Sequence, residues 1–106
     1  TDIIFRKSEN NKNELAAVIE LKLRDDYFAY EADIEKLLRL DAKNCNKYFC
    51  VLLDSFSEDN DKRLTDLETK FKGKLTSIGQ GSFETKQNWY KTQVHCILNL
   101  YKVENK

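Results

Sequence analysis

Three residues near the start of the chain have the types and spacing that divalent-metal chemistry requires. Glu20 and Lys22 stand two positions apart in an otherwise apolar run, residues 16–23, and Asp2 lies in a shorter apolar run, residues 2–6. Alternate residues of a β-strand point to the same side, so Glu20 and Lys22 share one face of a strand. Two carboxylates and a lysine on one patch of sheet are the components of a metal-dependent phosphodiesterase site.

The segment between the two apolar runs predicts the turn of a β-hairpin. Residues 8–13 are polar and rich in asparagine, which favours a turn. If the hairpin is centred near residue 11, Asp2 falls opposite Glu20 or one position away from it. Residues that pair directly share a face, whereas a slip of one residue would turn Asp2 to the other side. The register of this hairpin therefore decides whether the two carboxylates meet.

The chain after the hairpin carries the signals of a helix and then of a strand. Asp25 or Asp26 can cap a helix over residues 27–40, in which apolar residues recur with a helical period. Residues 48–53 are a continuous apolar run, which is typical of a strand buried on both faces. The connection is long enough for a helical crossover, so we expect this strand to run parallel to residues 18–23.

The second half of the chain predicts one more helix and two further strands. Residues 75–78 are expected to form a short strand and residues 79–82, which contain two glycines, a flexible turn. Residues 89–103 fit a helix or a strand by spacing, and their β-branched and aromatic residues favour the strand. A helix before these strands is indicated by an apolar stripe and a terminating glycine: Leu64, Leu67, Phe71 and Gly73.

Length and composition limit the class of protein. A chain of 106 residues, 34% charged and 41% hydrophobic, predicts one soluble domain over residues 1–106. Its apolar runs are too short to span a bilayer and it has no secretory leader, so we expect a cytoplasmic protein without membrane contact. The net charge is zero, which counts mildly against a nucleic-acid binder, although metal-ligand carboxylates offset basic residues elsewhere.

The cysteines offer an alternative metal site. Cys45, Cys50 and Cys96 are odd in number and lack the close pairing of a zinc motif, so buried thiols are the favoured interpretation. A zinc cluster that adds His95 is the alternative. It is disfavoured because neighbouring strand residues 95 and 96 face opposite ways.

The pattern of Asp2 followed by Glu20-Leu21-Lys22 resembles the PD-(D/E)XK nuclease superfamily, which has the restriction-endonuclease-like fold. The hairpin, the helix over residues 27–40 and the apolar strand that follows match about half of the chain, in the order of the family core. The resemblance implies an α/β fold with a mixed central β-sheet flanked by helices. Because the family core has a helix and a strand before the aspartate, we expect an amino-terminally truncated core or a fragment of a longer chain.

The resemblance also implies a function and roles for individual residues. It implies a Mg²⁺- or Mn²⁺-dependent endonuclease that hydrolyses DNA, with Asp2, Glu20 and the carbonyl of Leu21 as metal ligands. Lys22 would orient the attacking water and stabilise the charge that develops on the phosphate. Asp33, on the following helix, could support the site, as could Glu31, although both also fit an ordinary helix surface.

A surface for DNA would combine basic residues with exposed aromatics. Trp89 and Tyr90 could stack on bases, or could lie at the edge of the core. A catalytically inactive module that binds nucleic acid or protein is the alternative function, and a homodimer or a longer parent chain is the expected assembly. The expected phosphate contacts are Arg6, Lys7, Arg24, Lys86 and Lys91.

Overall fold

The residues that the structure describes form a mixed five-stranded sheet with two helices. The computed structural model describes residues 2–9, 12–23, 25–40, 44–55, 61–84 and 94–105. The sheet order is β1-β2-β3-β5-β4, so the α/β class expected from the sequence is confirmed. Within the described residues the elements are β1 (Asp2–Glu9), β2 (Lys12–Lys22), α1 (Tyr27–Arg39), β3 (Asn46–Ser55), α2 (Lys62–Lys70), β4 (Leu75–Glu84) and β5 (His95–Val103).

Strands β1 and β2 form the expected antiparallel hairpin, with one irregularity. Phe5 is opposite Ala17, but the next residue, Arg6, is opposite Leu15, so Ala16 is the extra residue of a β-bulge. After the bulge, Leu15 takes the face that Ala16 would have occupied, and it packs against the core. If the pairing of Arg6 with Leu15 continued without the bulge, Asp2 would lie opposite Ile19, so the bulge brings Asp2 opposite Glu20.

Helix α1 makes the crossover between two parallel strands, as the sequence predicts. Asp26 is the N-cap, and its carboxylate accepts a hydrogen bond of 2.9 Å from the backbone N–H of Ala29. The helix buries Tyr30, Ile34 and Leu37. Strand β3 then runs parallel to β2. The apolar stripe of α1 thus holds the helix against the strand that carries Glu20.

Both described helices cover the same face of the sheet. Phe49 on β3 lies at the centre of the core, where its ring is 6.0 Å from that of Tyr30 and 6.4 Å from that of Tyr101. Leu67 of α2 is fully buried against the same core. The described elements therefore form two layers, a helical layer and a sheet.

The opposite face of the sheet is apolar and incompletely covered. On β3, alternate residues are buried, but those between them are only half-buried, so the expectation that this strand is buried on both faces is wrong. The reason is that the described helices pack on one face only. Strands β1, β4 and β5 continue the open face with large exposed side chains, namely Ile3, Phe5, Phe83 and Leu98.

Strand β4 corrects the turn predicted for residues 79–82. These residues continue the strand, and Gly79 and Gly81 pair with Leu100 and Leu98 of β5. Pairing with β5 outweighs the turn preference of the glycines, because the backbone hydrogen bonds of an edge strand do not depend on its side chains. Residues 95–103 are a strand, as expected, and lie inside the sheet between β3 and β4.

Arg63 ties the start of α2 to two other parts of the fold. Its guanidinium donates to both carboxylate oxygens of Asp61, at 2.9 Å each, and to the backbone carbonyls of Asp54 and Asp25, at 2.9 and 3.1 Å. Burial alone would raise the pKa of Asp61, but the hydrogen bonds from Arg63 outweigh burial and lower it. One side chain therefore joins α2 to the end of β3 and to the segment before α1.

Arg63→Met is expected to destabilise the fold by roughly 2–4 kcal/mol, because it removes the guanidinium group that donates to the shielded Asp61 carboxylate and to two backbone carbonyls. The measurement is urea unfolding followed by circular dichroism. Lys62→Met is the matched control, since Lys62 is 88% exposed and pairs only with Asp66 among the described residues. Its effect should stay within about 0.5 kcal/mol.

The loss caused by Arg63→Met should also depend on pH. A carboxyl whose pKa is lower in the folded state stabilises the fold above its unfolded pKa, about 3.9 for aspartate. That contribution disappears as the pH falls through the lowered pKa of Asp61. Equal stabilities of Arg63→Met and the unsubstituted protein at pH 7 would contradict the role assigned to Arg63.

Candidate functional site

The hairpin brings the two predicted carboxylates together. Asp2 is directly opposite Glu20 in the β1–β2 ladder, so both side chains are on one face. That face is the one covered by α1, because the neighbouring Val18 belongs to the core. Glu20 is only 4% exposed. The register, and not a flexible loop, therefore sets the position of both acids.

Lys36 of α1 lies between these carboxylates. Its Nζ is 3.4 Å from Oδ2 of Asp2 and 3.5 Å from Oε2 of Glu20. Since both oxygens are this close to one nitrogen, they are separated by at most about twice that distance. A single cation thus contacts both carboxylates at once.

The sequence alone does not identify Lys36 as a residue of the site, although its position beside the apolar stripe of α1 indicates that it lies near the sheet. Asp33 and Lys36 each precede a buried residue of the apolar stripe, Ile34 and Leu37 respectively. Both charged residues therefore lie on the same flank of that stripe. The helical spacing of the apolar residues predicts that Asp33 and Lys36 border the contact between α1 and the sheet. Which strand residues they face depends on how α1 packs.

Lys22 is on the same face as Glu20 but contacts other acids. Its Nζ is 3.2 Å from Oδ2 of Asp33 and 3.9 Å from Oδ2 of Asp25. Asp33 is thus held against Lys22, whereas Glu31 pairs with Lys70 of α2 at 2.9 Å. Of the two helix acids considered from the sequence, the structure brings Asp33 to the lysine of the motif.

Leu21 separates Glu20 from Lys22 along the strand. It pairs with Cys50 of β3, and its side chain points to the open face, away from α1. Its carbonyl lies in the plane of the sheet beside Glu20. This is the backbone oxygen that the resemblance of the sequence implies as a third ligand.

A cleft of about 170 Å³ opens beside the carboxylate pair. Arg6 lines it together with Asp2, Glu20 and Lys36, and apolar residues of β1, β2 and the end of α1 form the remaining walls. Of the basic residues expected to contact phosphate, Arg6 is therefore placed at the candidate site. The cleft combines two acids with two basic residues, which suits an anionic ligand held beside a cation.

The other predicted contacts lie elsewhere. Lys7 is in β1, where only its backbone is described. Arg24, Lys86 and Lys91, with Trp89 and Tyr90, lie outside the described residues.

The alternative zinc cluster is not assembled. His95 and Cys96 are neighbours on β5 and face opposite ways, while Cys50 is opposite Leu100, four residues further along that strand. Within the described ranges, no three side chains of His, Cys, Asp or Glu are grouped to hold a metal ion. The candidate magnesium site thus depends on two carboxylates and a backbone carbonyl.

Comparisons with known proteins found no relative of the chain. No family model, no curated protein and no solved structure matches the chain. Among the described helices, none has the length and apolar character needed to cross a membrane.

Proposed function

We propose that the chain is a Mg²⁺-dependent nuclease that hydrolyses phosphodiester bonds of DNA. The observation that carries the proposal is the single ammonium group within 3.5 Å of both Asp2 and Glu20. It supports a metal site because two carboxylates that share one cation in this way can also share a divalent ion. Oxygen ligands of this kind suit Mg²⁺, which keeps several waters when bound.

The donor set fits such an ion. Asp2 and Glu20 would hold it from paired strands, and the carbonyl of Leu21 would add a third oxygen. When bound, the ion would polarise the phosphoryl group and lower the pKa of a water molecule. The two carboxylates need no loop rearrangement to act together, since the hairpin register already aligns them.

The basic residues around the pair have separate roles in this proposal. Arg6 lines the cleft and would bind a phosphate of the substrate backbone. Lys22 would donate to the phosphoryl oxygens as negative charge develops on them. Asp33, 3.2 Å from Lys22, would position that ammonium group.

The order of elements supports a restriction-endonuclease-like core. A hairpin that carries the aspartate and the Glu-x-Lys triplet is followed by helix α1 and then by β3, which is parallel to β2. This order and direction are what the resemblance of the sequence implies for the first half of the chain.

A protein-binding module is the second candidate function. It is favoured by the apolar, partly exposed face of the sheet, which is typical of contact surfaces between proteins. A homodimer formed through that face would present two sites related by a two-fold axis, an arrangement that suits the antiparallel strands of a duplex. Binding of a protein through this face is therefore compatible with a nuclease site on the other face of the sheet.

The test is cleavage of supercoiled plasmid by the purified chain. We expect nicked and linear products in Mg²⁺ or Mn²⁺ and none in EDTA, with single-stranded DNA and RNA assayed in parallel. Cleavage that persists in EDTA, or the absence of cleavage with both metals on all three substrates, would contradict the nuclease proposal.

A further inference from the structure

We infer that Lys36 is an internal counter-ion that a divalent metal must displace from Asp2 and Glu20. The inference rests on the proposed metal site and concerns how that site is filled. The ammonium group contacts the same two carboxylates that a bridging ion would bind. Metal binding at this pair is therefore an exchange of cations.

The distances indicate that the contact of Lys36 is loose. Charge-assisted hydrogen bonds between nitrogen and carboxylate oxygen are usually about 2.7–2.9 Å long. Both contacts of Lys36 are longer, at 3.4 and 3.5 Å. The ammonium is thus shared between two acceptors without an optimal bond to either, which favours its exchange.

The two sides of this contact differ in mobility. Asp2 and Glu20 are on paired strands, and the Glu20 side chain is only 6% exposed. The Lys36 side chain is 57% exposed and has a flexible four-carbon stem. The carboxylates can therefore stay in place while Lys36 turns into solvent.

The charges favour a divalent ion over the ammonium group. Two carboxylates on facing positions repel each other, and an ammonium group in contact with both carries one positive charge. A divalent ion carries two. The higher charge of the divalent ion is thus the driving force for exchange.

The experiment compares Mn²⁺ affinity by calorimetry in the unsubstituted chain and in Lys36→Gln. Removing the competing cation should tighten Mn²⁺ binding roughly three- to tenfold, the range expected from two partly exposed ion pairs. Lys36→Arg keeps a competing cation and should stay within about twofold. Arg39→Gln is the matched control: it removes one positive charge from the same exposed last turn of α1 and should also leave the affinity within about twofold.

A second readout follows Lys36 itself. Acylation of individual lysines, measured by mass spectrometry, should rise at least about twofold at Lys36 when Mg²⁺ is added, because the ammonium leaves its two acceptors. Lys62, which is 88% exposed and distant in the chain, should not change.

The outcomes separate this inference from the proposed function. If the unsubstituted chain binds Mn²⁺ and Lys36→Gln binds it equally or more weakly, the exchange is overturned and the metal site stands. If neither protein binds Mn²⁺, the metal site itself fails, and the exchange fails with it.

Discussion

Glu20→Gln is expected to abolish both metal binding and DNA cleavage. Glutamine has nearly the same shape as glutamate, but its amide lacks the negative charge that a divalent ion requires. Changes to groups that only support metal ligands already cost 10–100-fold in affinity or activity. Loss of a ligand should therefore lower the cleavage rate by at least about a hundredfold, measured as plasmid nicking under Mg²⁺.

The fold should survive this substitution. Glu20 is nearly buried, but the Lys36 side chain beside it is 57% exposed, so the substitution leaves the ammonium group of Lys36 in contact with solvent and not as a buried unpaired charge. Glu84→Gln is the matched control, because Glu84 is an exposed glutamate on β4, at the opposite edge of the sheet. Full cleavage by folded Glu20→Gln protein would show that the activity comes from another site or from a contaminant.

Lys22→Ala is expected to abolish cleavage while leaving metal binding intact. In the proposed mechanism Lys22 acts on charge that develops only in the transition state, so its loss lowers the rate and not the affinity for the ion. Removing one such donor costs about 10²–10³-fold in other enzymes. Mn²⁺ affinity, measured by calorimetry, should change by no more than about threefold.

Asp33→Asn separates the role of Lys22 from that of its partner. It removes the acid 3.2 Å from Lys22 but keeps the lysine itself. We expect a smaller loss of rate than for Lys22→Ala, because the donor remains and only its position is less well defined. A Lys22→Ala protein that cleaves at the original rate would exclude Lys22 from the chemistry.

The central pairing of the site could be predicted only to within one residue. Alternation of apolar and charged residues places Glu20 on one face of β2, and the asparagine-rich segment places the turn near residue 11. These rules put Asp2 opposite Glu20 or one position away, and the bulge at Ala16 decides for the pair of Asp2 with Glu20. Asp26 as a helix cap and Gly73, whose φ is positive, follow equally local rules.

The remainder of the site depends on packing between distant segments. Lys36 contacts Asp2 across 34 residues of sequence, and no local pattern states which strand residue a helix side chain will meet. Gly79 and Gly81 were predicted in a turn because glycines favour turns locally, whereas pairing with β5 keeps them in a strand. Local preference decides an element only where no neighbouring strand offers a better set of hydrogen bonds.

The bulge at Ala16 has a consequence for how the length of this hairpin could vary. Phe5 is opposite Ala17 and Arg6 is opposite Leu15, so β2 has one residue, Ala16, that regular pairing with β1 does not need. A natural sequence that lacks the residue equivalent to Ala16 could therefore retain every other pair, including Asp2 with Glu20. A deletion at Ile19 would instead move Glu20 relative to Asp2. A one-residue deletion at the bulge should thus be tolerated, whereas a deletion nearer to Glu20 should be selected against.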